Sequence, residues 1–193
     1  MDRSTGEAGR AEAAGELYGP RGWSVRAGVW EVLAPFTARG HVPWAYPGVG
    51  AAVGADGRPG RDHVAFAGLD GAAALELLER LPPAQLVDRQ NAAPTLGSML
   101  WAAARHPGTV EVHGYGIGPQ RADERVSAEG LVVYAFADLA VSPNHAPGCR
   151  CQELWALVED VLELEGDGGS PDEIHRSRPP WARDREGWWL WWD

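Results

Sequence analysis

Apolar residues recur at helical spacing between Asp70 and Leu81, and this is the clearest periodic pattern in the chain. Leu75, Leu78 and Leu81 fall on one face of a helix over these residues. Asp70 belongs to the residue types that cap helix N-termini, and the two prolines after Leu81 prevent the helix from continuing. We therefore predict a helix over residues 70–81 with these three leucines on one face.

Three further segments have helical periodicity. Thr95–Arg105 carries its apolar residues on one side and ends before a His-Pro-Gly turn. Cys151–Leu164 combines an apolar stripe with an acidic outer face. The stripe contains Leu154, Leu157, Val158, Val161 and Leu162. A weaker pattern from Ser24 to Phe36 predicts another helix, which Pro35 must bend or end early.

Two segments in the second half of the chain have β-strand character. Thr109–Ile117 alternates and is β-branched near its start, and Leu131–Phe136 is apolar and rich in residues that favour strands. We predict that they pair antiparallel across a polar loop over residues 118–129, with a further short strand at His63–Ala67. Helices packed on a small, mainly antiparallel sheet make an α+β fold.

The length of 193 residues suits one domain. Residues 1–20 are small, polar and rich in Gly and Ala, and we expect them to form a flexible N-terminal arm. Residues 21–193 are expected to form a single globular domain, which ends in a tryptophan-rich segment over about residues 171–193.

This C-terminal segment holds five of the ten tryptophans. If residues 188–192 are extended, their side chains alternate, so that Trp188, Leu190 and Trp192 share one face and Trp189 and Trp191 share the other. Each tryptophan buries on the order of 200 Å², so most of them should dock on a surface. They either complete the parent domain as a terminal strand or bind a protein partner.

Charge restricts the function. All 17 basic residues are arginine, against 27 acids, and the net charge is −10. The absence of lysine excludes Schiff-base catalysis and the phosphate-binding lysine of a Walker-type loop. Because a strongly negative chain repels a polyanion, we expect no nucleic-acid binding. A basic protein partner fits the charge better.

The expected location is cytoplasmic, without membrane binding. No apolar stretch approaches the roughly 20 residues that a membrane-spanning helix needs. The N-terminal sequence MDRSTGEAGRAEAAGEL lacks the apolar region of a secretory signal. Cys149 and Cys151 are the two cysteines, and a disulfide between them would close a strained ring, so thiols are expected.

The sharpest chemical pattern is NHAPGCRCQELW, in which His145, Cys149 and Cys151 fall within seven residues at the start of a predicted helix. Imidazole and thiolate are good zinc ligands, and a structural site needs four of them in a tetrahedron. His113, on a neighbouring predicted strand, is a candidate for the fourth ligand, as are another histidine or a carboxylate. The cluster offers fewer ligands than the paired Cys-x-x-Cys motifs that mark zinc sites.

Three other interpretations compete with zinc binding. The cysteines could be small, semi-buried loop residues without chemistry. Alternatively, the positive end of the helix, together with Arg150, would lower a thiol pKa and make Cys149 or Cys151 reactive. His113 could be a hydrogen-bonded structural histidine of its strand, which is the more common role than that of a catalytic base.

Two polar groups are further candidates. Residues 88–91, Asp-Arg-Gln-Asn, precede a predicted helix and could hold an anion or a polar ligand. Capping and loop hydrogen bonds are the simpler explanation. Asp123 and Glu124 lie in the predicted loop between the strands. They could act as a catalytic acid pair, but charged residues of such a loop usually form a solvated surface with weak ion pairs.

Two functions follow from these patterns. The first is a non-enzymatic binding or interaction domain, whose acidic surface and tryptophan-rich C-terminal segment engage a protein partner. The second is a zinc-binding domain, or a small metal-dependent enzyme, built on His145, Cys149 and Cys151 with His113 nearby. The sequence indicates no cofactor other than zinc.

Overall fold

A five-stranded sheet lies at the centre of the fold. A computed structural model describes residues 17–37, 53–136, 139–142, 146–166 and 169–193. The strands in these residues are β1 (His63–Leu69), β2 (Val110–Ile117), β3 (Arg125–Val133), β4 (Glu173–Ser177) and β5 (Gly187–Trp191). They pair in the order β1-β2-β3-β5-β4, and every pairing is antiparallel.

Helices pack on this sheet. In the described residues they are α1 (Trp23–Arg26), α2 (Val29–Thr37), α3 (Gly71–Arg80), α4 (Pro83–Leu86), α5 (Leu96–Arg105) and α6 (Cys151–Val161). Helices α2, α3, α5 and α6 share one hydrophobic core with the sheet. The predicted α+β fold is therefore confirmed. Among the described helices, none combines the length and the apolar character that crossing a bilayer requires.

Helices α3 and α5 begin where the sequence predicts. The Asp70 carboxylate accepts a hydrogen bond from the Ala73 N–H at 3.0 Å, and the Thr95 hydroxyl accepts one from the Ser98 N–H at 3.2 Å. The three leucines predicted to share a face differ in burial: Leu81 is buried and Leu78 packs half-buried against the core, whereas Leu75 is exposed. Small residues and a further leucine, Leu77, complete the buried face of α3.

Two helices replace the single helix predicted from Ser24. Helix α1 ends at Arg26 and α2 begins at Val29. Gly28 between them has φ +69, a left-handed conformation that interrupts helical geometry and that glycine adopts without strain. Pro35 lies inside the last part of α2.

Strand β3 begins earlier than predicted, at Arg125, so the β2–β3 loop is limited to residues 118–124. The alternation of β3 explains the error: Val126 and Ala128 belong to the core, whereas Arg125, Ser127 and Glu129, which alternate with them, are polar. The register shifts between His113 and Gly114 of β2, which leaves one extra residue, Glu129, on β3.

The sheet separates two apolar clusters. Trp188, Leu190 and Trp192 join the main core. The cluster on the other face contains Val132, Tyr134, Trp181, Trp189 and Trp191. This confirms the alternation predicted for residues 188–192, and it shows that the C-terminal segment supplies β4 and β5 to the sheet of its own chain.

The predicted N-terminal arm, residues 1–20, lies mostly outside the described residues, which begin at Leu17. In its described part, Tyr18 is half-buried and packs against the core. The Tyr18 hydroxyl donates a hydrogen bond to Asp88. These last residues of the predicted arm are therefore held on the domain.

Candidate functional site

Cys149 and Cys151 lie together at the start of α6. Cys151 is buried and Cys149 is half-buried, and neither forms a disulfide. The Cys149 sulfur accepts a hydrogen bond from the Ser142 N–H at 3.3 Å, and the two thiols are hydrogen-bonded to each other. The structure therefore brings two of the four predicted metal ligands together.

The electrostatics at Cys151 differ from those of a reactive cysteine. Burial raises the pKa of the Cys151 thiol, and the hydrogen bond to Cys149 raises it further. Arg150 is engaged by Glu153, with 2.7 Å between its Nε and the carboxylate. The predicted lowering of the thiol pKa is therefore wrong for Cys151.

His113 lies on the other face of the sheet. Its imidazole stacks on Trp189, with ring centroids 4.0 Å apart, whereas Cys151 belongs to the main core. Burial lowers the pKa of His113 to about 3, and a hydrogen bond to the Leu190 backbone offsets this only in part. The structure therefore does not bring His113 to the cysteines, because successive strand residues point to opposite sides of a sheet.

His145, the remaining predicted ligand, lies outside the described residues. Within the described parts of the chain, no group of three or more His, Cys, Asp or Glu side chains is arranged to hold a metal ion. Zinc binding therefore stays a prediction, supported by the position of two thiols and by the spacing of His145 in the sequence.

Residues 88–91 form hydrogen bonds within the protein. Asp88 accepts from Tyr18, and Gln90 accepts from the Tyr115 hydroxyl at 2.9 Å. The cavity beside these residues has a volume of only about 10 Å³, close to the minimum for one water molecule. This favours the loop-bonding interpretation over an organic ligand.

Asp123 and Glu124 have separate partners. The Arg121 guanidinium donates two hydrogen bonds to Asp123, of 2.8 and 2.7 Å, and lowers its pKa to about 2. Glu124 is 3% exposed and accepts from the backbone N–H groups of Gly22 at 2.6 Å and Ser24 at 2.9 Å. Glu124 thus fixes the start of α1 to the β2–β3 loop, and the two acids do not converge as a catalytic pair.

The outer side of α6 exposes apolar side chains. Leu157 is 38% exposed and Val161 is 43% exposed, so the predicted apolar stripe is wrong for these two positions. The buried face of α6 consists of Cys151, Leu154, Trp155 and Val158. Leu157 and Val161, four residues apart, lie one turn from each other on the outer side.

Helix α5 also has an exposed tryptophan. Trp101 is 43% exposed, and the Arg105 guanidinium lies over its ring at 5.3 Å from the centroid. Arg105 also pairs with Glu163, just beyond α6, and so connects the two helices. We define the α5–α6 surface as Trp101, Arg105, Glu153, Leu157, Asp160, Val161 and Glu163.

The α5–α6 surface is acidic on its α6 side. Residues 151–165 contain five acids and no basic residue. Two of the acids are paired, Glu153 with Arg150 and Glu163 with Arg105. No ion pair forms within the described residues to the other three, Glu159, Asp160 and Glu165.

No protein-family model matches this chain, and comparisons with curated proteins and with solved structures give no match. Function therefore has to be inferred from the chemistry and geometry of the described side chains, since a fold alone does not specify an activity.

The α5–α6 surface was not identified from the sequence as apolar. In the predicted stripe, Leu157 and Val161 immediately precede Val158 and Leu162, so they rotate about 100° away from them on a helix of 3.6 residues per turn. Trp155 is the signal that could have separated the two faces. Trp155 lies beside Leu154 and Val158 on the side of the helix away from Leu157, so including it in the apolar face moves the centre of that face away from Leu157.

Proposed function

We propose that this protein is an interaction domain whose α5–α6 surface binds a basic, amphipathic helical segment of a protein partner. The observation that carries the proposal is the exposed pair Leu157 and Val161 on an acidic helix. Exposed apolar groups rimmed by polar residues are typical of interaction sites. The surface takes the place of the tryptophan-rich segment as the partner-binding element, because Trp188, Trp189 and Trp192 are buried in their own domain.

The shape of the apolar ridge suits a helix as its partner. Leu157 and Val161 repeat at the spacing of one helical turn, and a partner helix presents its own apolar residues at the same spacing. Trp101 adds an exposed aromatic ring on the α5 side. Tryptophan is enriched among the residues that dominate binding energy in protein interfaces.

Charge selects a basic partner. On the α6 side of the surface, some acids form no ion pair with an arginine of the described residues. The whole chain has a net charge of −10. Complementary charge accelerates association and disfavours acidic competitors. Arginine or lysine residues beside the apolar positions of the partner would meet Asp160 and its acidic neighbours.

The proposal is tested by calorimetry with a synthetic peptide in which leucine recurs at helical spacing and the other charged positions are arginine. A peptide of the same composition, scrambled so that leucine forms no face, is the control ligand. We expect saturable binding of the first peptide only. The double variant Leu157→Ser, Val161→Ser should weaken binding roughly tenfold or more, which corresponds to about 1.4 kcal/mol.

The matched control is Leu75→Ser on α3, because Leu75 is 45% exposed but lies outside the α5–α6 surface. Asp160→Asn should weaken binding and reduce its salt dependence, while Glu79→Gln, an exposed acid of α3, should change neither. Absence of saturable binding, or an effect of Leu75→Ser equal to that of the double variant, would contradict the proposal.

Thiolate metal binding is a second candidate function, favoured by the hydrogen bond between the Cys149 and Cys151 thiols. Two adjacent sulfur ligands with His145 nearby in the sequence match the donor types that Zn²⁺ prefers. The test is the zinc content of the purified protein. Stoichiometric zinc that is lost in Cys149→Ser and His145→Ala, but kept in His63→Gln, would support this function. Zinc content that is negligible in the unchanged protein would exclude it.

A further inference from the structure

A cleft of about 190 Å³ lies between the segment that precedes α1 and the β2–β3 loop. Its lining residues are Leu17, Gly19, Arg21, Trp23, Arg121, Ala122 and Glu124. We infer that this cleft binds a small organic anion, a carboxylate attached to an apolar or aromatic group. The site is separate from the α5–α6 surface and does not depend on its function.

The walls of the cleft are held in place before any ligand binds. Arg21 spans the cleft and donates to the backbone carbonyls of Pro119 at 2.5 Å and Gln120 at 2.8 Å. The buried Glu124 carboxylate, from the loop side, accepts from the Gly22 N–H. Trp23 donates its indole N–H to the Glu124 carbonyl at 3.3 Å. A site whose walls are already fixed loses little conformational entropy on binding.

The local charge has the opposite sign to that of the chain. Segments 17–26 and 118–125 contain four arginines and two acids, so they carry +2 within a protein of net charge −10. One of the two acids, Glu124, is buried and satisfied by N–H groups. A cationic cleft on an acidic protein attracts anions and disfavours cations.

Arg121 supplies the group that would contact the anion. Its Nε and Nη2 bind Asp123, whereas Nη1 has no hydrogen-bond partner among the described residues. Its side chain is 44% exposed at the cleft. Hydrogen bonds from arginine to a carboxylate are charge-assisted and stronger than neutral ones. Asp123 holds the guanidinium through Nε and Nη2, which leaves Nη1 to donate to a bound anion.

The rest of the lining accounts for the apolar part of the ligand. Trp23 and Leu17 contribute an aromatic and an aliphatic side chain, and Ala122 leaves space on the loop side. The cleft is smaller than typical drug-sized pockets of about 300–1,000 Å³. Its volume therefore suits a single-ring or short-chain carboxylate better than a nucleotide or a peptide.

The experiment follows the ¹H–¹⁵N resonances of the Gly22 amide and the Trp23 indole in the full chain during titration with benzoate. Benzamide, which has the same ring without the charge, is the comparison ligand. We expect saturable shifts with benzoate and roughly tenfold weaker binding of benzamide. Arg121→Gln should weaken benzoate binding several-fold, and Ala122→Trp, which fills the cleft, should abolish it.

Arg183→Gln is the matched control, since Arg183 is an exposed arginine on the connection between β4 and β5. It should leave benzoate binding unchanged. The inference is overturned if the Gly22 and Trp23 resonances do not shift saturably, if benzamide binds as well as benzoate, or if Arg121→Gln and Arg183→Gln have equal effects.

Discussion

His113 and Trp189 stack on each other across an intervening strand, with ring centroids 4.0 Å apart and planes inclined by 12°. Strand β3 lies between their strands, and its Gly130 pairs with His113 on one side and with Trp191 on the other. Because glycine has no side chain, the imidazole can reach over β3 to the indole. The stack therefore ties the C-terminal strand to the centre of the sheet.

Gly130→Ala should destabilise the protein by about 1–3 kcal/mol, the usual cost of overpacking a filled interior. A Cβ at this position would lie 2.2 Å from the Leu190 carbonyl oxygen and 2.4 Å from Cε1 of His113. The carbonyl belongs to the backbone of β5 and cannot move without disturbing the sheet. The free energy of unfolding from chemical denaturation provides the measurement, and an unchanged value would contradict the stacking arrangement.

His113 should make stability depend on pH. Its pKa is about 3 in the folded chain against 6.5 when unperturbed, so between these values only the unfolded chain binds the proton. Stability therefore rises with pH over this window, by up to about 1.4 kcal/mol per pH unit. His113→Phe keeps an aromatic ring and removes the titration, so its stability should rise less steeply with pH.

Comparing the unchanged protein with His113→Phe isolates the contribution of His113 to the pH dependence of stability. Burial raises the pKa of Glu129 to about 7, and Glu129 therefore removes stability as pH rises from 4.5 to 7, but it does so in both proteins. Denaturation curves at pH 4, 5 and 6 provide the measurement. Parallel pH profiles for the unchanged protein and His113→Phe would show that the imidazole titrates normally.

Glu124→Gln should lower the free energy of unfolding by about 1–3 kcal/mol, the cost of leaving buried polar groups without good partners. The amide group would place an N–H against the donors of Gly22 and Ser24, which now bind a carboxylate. Glu79→Gln, an exposed substitution on α3, should stay within about 0.5 kcal/mol. Equal stabilities of the two variants would mean that Glu124 does not fix the α1 segment.

Truncation after Ser170 should prevent the domain from folding. It removes β4 and β5, and with them Trp188, Leu190 and Trp192 from the main core. It also uncovers the edge of β3. Circular dichroism during heating should show no cooperative transition. A truncated chain that still unfolds cooperatively would mean that the tryptophan-rich segment is dispensable for the core.

Local signals in the sequence predicted much of the fold. Asp70 and Thr95 are residue types that cap helices, and they cap α3 and α5. The alternation from Trp188 to Trp192 predicts which side chains lie on each face of β5. Each of these signals acts over a few residues of chain. Helix and strand positions set by such short-range preferences can therefore be read from the sequence.

Features that depend on distant residues were not predictable. Glu124 is buried against two hydrogen-bond donors, Gly22 and Ser24, that lie about a hundred positions earlier in the chain. No pattern near Glu124 in the sequence predicts this burial. The first half of β3 was missed since its polar residues face the side opposite the core. The exposure of Leu157 is different, because Trp155, which occupies the inner face of α6, is a local signal for it in the sequence.

The candidate sites show the same division. The neighbouring positions of Cys149 and Cys151 follow from the sequence, but the separation of His113 from them requires the sheet topology. The α5–α6 surface joins two helices that are some fifty residues apart, through a contact of Arg105 with Glu163. No local pattern marks such a surface.

The most direct test of the proposed interaction is chemical-shift mapping of the ¹⁵N-labelled chain with the leucine–arginine peptide. We predict that saturable shifts concentrate at residues 101–105 and 153–163 and are lost in the Leu157→Ser, Val161→Ser variant. Shifts spread evenly over the protein, or concentrated at residues 17–23 and 118–124, would contradict the assignment of the partner to the α5–α6 surface.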